Sequence, residues 1–181
     1  MRKLCTKDNP CSLLMIEDEA LLVELFKTYL SQYNEDGFKV TDVSTLLLAL
    51  EAIATDELDP AFEIALLDLE LPDSAGIDTL DSIIRAVKDR FPVIVLTGTA
   101  GQDTESLILS HGAQEVLIKG SIENSEVLRA VRNSIERHHF CTTNSRLATR
   151  LEEIEKLANT GLIEQLREVR EELKKLAAGH Y

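Results

Sequence analysis

Basic residues are scarce in this chain, long apolar runs are absent, and cysteines are few. Lys and Arg total 19 against 32 Asp and Glu, a formal charge of −13. A chain this acidic repels phosphate backbones, and no basic recognition helix is visible, so direct nucleic-acid binding is not expected. No run of 18 apolar residues occurs, which argues against a membrane span. The segment Met1-Arg2-Lys3-Leu4-Cys5-Thr6-Lys7-Asp8 has no apolar stretch, which argues against a secretory signal. Cys5, Cys11 and Cys141 are odd in number and form no CxxC pair. That predicts reduced thiols and a cytoplasmic setting rather than a disulfide scaffold.

What is present is 181 residues, 44% of them hydrophobic. That is enough for one ordinary domain and a small addition. The charge is uneven. Residues 1–140 hold 12 basic and 25 acidic side chains, whereas residues 141–181 hold 7 of each. Most of the surplus carboxylates serve solubility, but a few stand where solubility does not explain them.

Residues 12–16 are a short apolar run that stops at Glu17-Asp18-Glu19, as a buried strand would. Leu21, Leu22, Leu25, Phe26, Tyr29 and Leu30 then recur at helical spacing. Asp36-Gly37 marks a turn before an alternating strand over 38–43. A helix over 46–54, stopped near Asp59-Pro60, leads to a third strand over 62–67 that ends in Asp68. Residues 69–73 read as a loop and 77–87 as a helix. A strand over 92–96 ends in Thr97-Gly98, and a short helix over 104–110 follows. The last strand, 116–118, ends in Lys119-Gly120 before a helix over 126–140.

Five strand-then-helix units in succession predict an α/β fold, a parallel sheet covered on both faces. Nearly all-apolar strands fit that arrangement. Such sheets bind ligands beyond the carboxyl ends of their strands. Here those ends carry Glu17-Asp18, Asp68, Thr97 and Lys119. Any one of these alone reads as a helix cap or loop residue, but four strand ends at once are hard to obtain from capping. Clustered carboxylates call for a cation, and hard oxygen ligands suit Mg²⁺. A carboxylate beside Mg²⁺ can act as a nucleophile on phosphorus. Lys119 and Thr97 would stabilise the charge that the product adds.

The acidic pair Glu17-Asp18, the segment Leu66-Leu67-Asp68-Leu69-Glu70-Leu71-Pro72-Asp73, the helix start Gly76-Ile77-Asp78, Thr97 and Lys119 together resemble the receiver domain of two-component response regulators. The resemblance covers residues 11–140 and implies the flavodoxin-like strand order 2-1-3-4-5. It implies Asp68 as phosphoacceptor, with Thr97 and Lys119 as its catalytic partners. Asp18 would ligate Mg²⁺ directly and Glu17 through water, and the Glu70 main-chain carbonyl would complete the shell with Asp68. The donor would be a phosphohistidine on a sensor kinase or phosphotransfer protein, and the receiver itself would catalyse the transfer.

Two positions depart from the family pattern. Val116 stands where an aromatic ring usually couples to the threonine. Gly120 stands where a proline usually follows the lysine in a cis peptide, and Gly disfavours that isomer. Glu70 reads either as a solvent-facing loop residue or as a group that tunes the lifetime of the phosphorylated state.

Beyond residue 140 the composition changes. Leu147, Leu151, Ile154 and Ala158 are spaced as in a heptad seam, and so are Leu162, Leu166, Val169, Leu173 and Leu176. The phase slips at Asn159-Thr160-Gly161, poor helix formers that predict a break near 159–161. Residues 141–181 are therefore expected to form a helical, coiled-coil extension. The stripe could pack on its own receiver. Self-association as a homodimer is preferred, because a receiver already buries its own helices. An alternative is the receiver and coil of a regulator with an enzymatic output, such as a diguanylate cyclase, since residues 157–162 faintly resemble the junction that opens such domains. His138-His139 beside Cys141 lack a fourth ligand for zinc and read as a helix end.

Overall fold

The computed structural model describes residues 10–31, 37–56, 62–98, 101–120 and 123–178. The turn expected at Asp36 and the helix stop at Asp59-Pro60 lie outside them. The chain divides into two compact units, 1–138 and 139–181.

In the first unit, β1 (Cys11–Ile16), β2 (Phe38–Val43), β3 (Phe62–Asp68), β6 (Val93–Thr97) and β7 (Glu115–Ile118) form one parallel sheet in the order β2-β1-β3-β6-β7. This is a flavodoxin-like doubly wound sheet. Successive residues of a strand point to opposite faces. Leu13, Met15, Ile64, Leu66, Ile94 and Leu96 therefore fall on one side, and Leu14, Ile16, Ala65, Leu67, Val93 and Val95 on the other. Both sets are buried, which is why these strands read as continuous apolar runs.

The first set packs on α1 (Ala20–Ser31), through Val23, Phe26 and Leu30, and on the start of α5 (Asn124–Ala178), through Val127, Leu128, Val131 and Ile135. The second set meets α2 (Leu46–Asp56) at Ala49 and Ile53, α3 (Ile77–Val87) at Leu80, Ile83 and Val87, and α4 (Gln102–Ser110) at Ile108.

Three expectations are corrected. The stretch expected as a loop after Asp68 is a small antiparallel hairpin, β4 (Glu70–Leu71) with β5 (Ser74–Ala75). Pro72-Asp73 supply its turn, and Leu71 buries its side chain to anchor it. Second, α5 does not break at Asn159-Thr160-Gly161. A mid-helix Gly costs only about 1 kcal/mol relative to Ala, and the Leu, Glu, Lys and Arg around it are strong helix formers. Thr160 also keeps its hydroxyl satisfied by donating to the Lys156 carbonyl at 2.8 Å.

Third, Cys11 is not a reduced thiol but is disulfide-bonded, while Cys141 is free and exposed. The partner of Cys11 lies outside the described residues. A disulfide needs close Cα atoms, not a CxxC spacing, so the motif count could not exclude it.

In the second unit, α5 continues from residue 139 to Ala178. Leu147, Leu151, Ile154, Leu166, Val169 and Leu173 are each more than half exposed on it. The side chains of Leu162 and Leu176 lie outside those described. No described helix is long and apolar enough to cross a membrane.

Candidate functional site

Strand pairing brings the chemistry-bearing residues to one edge of the sheet. The Glu17 N–H donates to the Val43 carbonyl at 3.0 Å, which fixes the chain just beyond β1. Asp68 closes β3, the neighbour of β1, in register with Leu96 of β6. Thr97 follows Leu96 and pairs with Ile118. The Lys119 N–H donates to the Thr97 carbonyl at 2.8 Å, so the ends of β6 and β7 are tied together.

Glu17 and Asp68 are buried, Asp18 is exposed, and one carboxylate oxygen from each lies within 4.8 Å of the others. Lys119 enters this group from β7. Its Nζ stands 2.6 Å from Asp68 Oδ2 and 2.8 Å from Glu17 Oε2. Two backbone donors complete the frame. The Glu19 N–H donates to Glu17 Oε1 at 3.2 Å, and the Glu70 N–H donates to Asp68 Oδ1 at 3.1 Å.

The electrostatics follow from this geometry. Burial pushes the Glu17 carboxyl above its ordinary range, and the negative Asp68 adds to the rise. The hydrogen bonds from Lys119 and the Glu19 N–H oppose it without cancelling it. Burial alone would lower Lys119, but hydrogen bonds to Asp68 and Glu17 outweigh it and hold the ammonium above its usual range. Lys119 is thus a fixed positive charge at neutral pH.

Among the described residues one ammonium, paired with Glu17 and Asp68, stands in a cluster of three carboxylates, so the cluster keeps a surplus of negative charge. Glu17 Oε2 is buried against the Lys119 ammonium at 2.8 Å. Oxygen donors only, two buried and one open to solvent, fit a hard divalent cation that retains some of its water. Glu17, Asp18 and Asp68 are the residues that could hold it.

The remaining positions fall as follows. Glu70 is exposed at the start of β4. Val116 is half-buried in β7, packed against the cluster shared with α2, α3 and α4. No cis peptide bond occurs among the described residues, the Lys119–Gly120 bond included. Gly76 has φ +68°, a conformation that side chains disfavour. Its N–H donates to the Leu69 carbonyl at 2.8 Å and closes the hairpin beside Asp68.

Two features escaped the sequence reading. Ser74 and Thr79 share a hydroxyl hydrogen bond of 2.7 Å that ties the hairpin to α3. Asp73 accepts the Leu46 N–H on Oδ1 at 2.8 Å and the Leu47 N–H on Oδ2 at 3.0 Å, so the hairpin turn caps α2. Asp73 and α2 lie far apart in sequence, and no local pattern signals the pairing.

The doubly wound sheet carries an acidic cluster and a lysine at its carboxyl edge. The response regulator receiver domain family matches residues 13–132. The chain belongs to that family. It is 33% identical over 123 residues to the regulatory protein LuxO of Vibrio cholerae, a stretch covering 68% of this chain and 25% of that one. It is 32% identical over 109 residues to the transcriptional regulatory protein MalR of Bacillus subtilis, covering 60% of this chain and 43% of that one. The chain thus spans about a quarter of the LuxO length and under half of MalR.

Among solved structures, a response regulator receiver domain protein from Clostridium thermocellum superposes with a TM-score of 0.59 at 25% identity, covering 72% of this chain and 98% of that one. A CheY-like receiver domain protein from Methanospirillum hungatei superposes with a TM-score of 0.60 at 21% identity, covering 72% and 97%. The relatives found are regulatory proteins, and the diguanylate cyclase alternative gains no support from them.

Proposed function

We propose that this protein is a phosphorelay response regulator in which Asp68 accepts a phosphoryl group and the signal leaves through helix-mediated association. The donor is a phosphohistidine on a sensor kinase or phosphotransfer protein. A carboxylate oxygen of Asp68 attacks phosphorus, the P–N bond breaks, and its electron pair returns to the imidazole, which takes up a proton. Mg²⁺ bound by Glu17, Asp18, Asp68 and the Glu70 main-chain carbonyl would neutralise the transferred oxygens. Lys119 supplies a permanent positive charge beside them, and the Thr97 hydroxyl is the third catalytic group. Glu70, exposed two residues after Asp68, is in position to tune the access of hydrolytic water. Val116 removes the usual aromatic route from Thr97 to the surface.

The observation that carries this reading is Lys119 Nζ at 2.6 Å from Asp68 in a buried group of oxygen donors. A capping role would not need an ammonium there. The output reading rests on a different observation, the exposed Leu147, Leu151, Ile154, Leu166, Val169 and Leu173 stripe of α5. Charge in residues 141–181 is balanced, so a second copy meets no net repulsion.

The test is acetyl phosphate labelling followed by intact-mass measurement. The wild type should gain one phosphoryl group only when a divalent metal is present, and Asp68→Asn should gain none. Equal labelling of the two proteins would remove Asp68 from the reaction.

A further inference from the structure

We propose that Asp73 is a positioning residue of the phosphoryl site: by clamping the first turn of α2 it fixes the hairpin whose Glu70 backbone flanks Asp68. The inference rests on the function proposed above and adds a residue to it.

The first four N–H groups of a helix lack intrahelical partners. In α2 the local residue Thr45 takes one of them, accepting the Leu48 N–H on its hydroxyl at 3.2 Å. Two more go to Asp73, one to each carboxylate oxygen. A cap alone could come from the residues just before the helix, as at most N-termini. Here the carboxylate comes from the turn of β4 and β5, so the tether restrains the hairpin as much as the helix.

The hairpin needs that restraint. Its strands are two residues each, and short hairpins are marginal by themselves. The Gly76 N–H bond to Leu69 and the Ser74–Thr79 bond hold its base. Asp73 holds its tip. Between them runs Glu70, whose N–H donates to Asp68 Oδ1 and whose carbonyl is the proposed fourth metal ligand. Releasing the tip lets both groups drift from the phosphoacceptor. The two backbone N–H bonds also hold the Asp73 carboxyl below its ordinary range, so the clamp is charged wherever the protein is at neutral pH.

Three variants of the full chain separate positioning from capping: Asp73→Ala, Asp73→Asn and Thr45→Ala. The last removes a cap from the same helix turn without touching the hairpin. Mg²⁺ affinity is measured by calorimetric titration with magnesium chloride, labelling by acetyl phosphate at subsaturating Mg²⁺, and melting by circular dichroism. Asp73→Ala should weaken Mg²⁺ binding and slow labelling by roughly tenfold, the low end for groups that hold metal ligands in place. Asp73→Asn, which keeps one acceptor, should fall between it and the wild type. Thr45→Ala should lower the melting temperature while leaving affinity and labelling at wild-type values.

The clamp is refuted if Asp73→Ala binds Mg²⁺ as the wild type does, or if Thr45→Ala reproduces its losses. Should Asp73→Ala not fold, the comparison of Asp73→Asn with Thr45→Ala decides the same question. A wild type that takes no phosphate overturns the function proposed above and the clamp with it. A labelled wild type beside an unaffected Asp73→Ala sinks the clamp alone.

Discussion

Replacing Lys119 by Met removes the ammonium that faces Glu17 and Asp68 while keeping most of the side-chain volume. Its Nζ lies 2.8 Å from one carboxylate and 2.6 Å from the other. At an effective dielectric of ~20, each attraction amounts to about 6 kcal/mol. Desolvation of three charges offsets much of that, so the net worth of the ammonium is smaller than the sum. Removing one partner of a buried ion pair costs about 3–5 kcal/mol, because the charges left behind lose their compensation. Lys119 keeps a fifth of its side chain exposed, and Glu17 can take up a proton, so the low end applies. A loss of about 3 kcal/mol in a domain of this size lowers the melting temperature by roughly 10 °C. The assay is thermal and urea unfolding followed by circular dichroism, first with a chelator and then with excess Mg²⁺. A bound divalent cation would replace the missing charge, so Mg²⁺ should stabilise Lys119→Met more than it stabilises the wild type. Pairing Lys119→Met with Glu17→Gln should recover part of the loss, since neighbours sharing a charge network are not additive. A chelated Lys119→Met that melts within a degree or two of the wild type would refute the reasoning. The cluster would then not be one in which the ammonium holds two buried carboxylates together.

Two further outcomes are expected. Burial holds Glu17 above its ordinary value of 4.5. A group raised on folding adds stability that is complete below its unfolded pKa and lost as pH rises through the folded one. Metal-free stability should therefore decline upward from about pH 4.5, and Glu17→Gln should decline less; identical profiles by urea titration would contradict the burial argument. On α5, burying a Leu is worth roughly 1.5–3 kcal/mol, so a short seam gives a dimer of moderate affinity. Leu151→Glu with Leu166→Glu should yield a monomer by light scattering while Asp68 labelling persists, and an undiminished dimer would place the contact elsewhere.

The sheet was legible because its signal is repeated. In β1, β3 and β6 both faces are buried, so apart from Ser12 and Glu63 near the strand starts the residues are apolar up to the polar or charged group that marks each carboxyl end. The parallel topology then does the rest: once the order of strands is known, Glu17, Asp68, Thr97 and Lys119 must share an edge. The structure does bring Glu17, Asp68 and Lys119 into contact. The hairpin after Asp68 was not legible. Four residues of it pair, and the alternation of so short a strand carries no period. The disulfide at Cys11 leaves no CxxC spacing in the sequence, because the bond depends on Cα proximity in the fold.

The failed expectation at Asn159-Thr160-Gly161 and the missed clamp at Asp73 have one physical origin. Propensity measures what a residue costs, not what its surroundings supply. Three weak helix formers cost a few kcal/mol at most, and the strong formers around them are enough to carry α5 through. Asp73 looked like a turn residue, and it is one. Its carboxylate had a second use, because the folded sheet delivers the unsatisfied N–H groups of α2 to it. Continuity of α5 also changes what its two seams mean. With no break between them, the apolar steps run 4, 3, 4, 4, 4, 3, 4, 3 from Leu147 to Leu176 along one helix. The three consecutive steps of four exceed a heptad rhythm, and an apolar period longer than 3.5 residues relaxes the left-handed supercoil. If two copies associate here, they should wind less tightly around residues 154–166 than on either side.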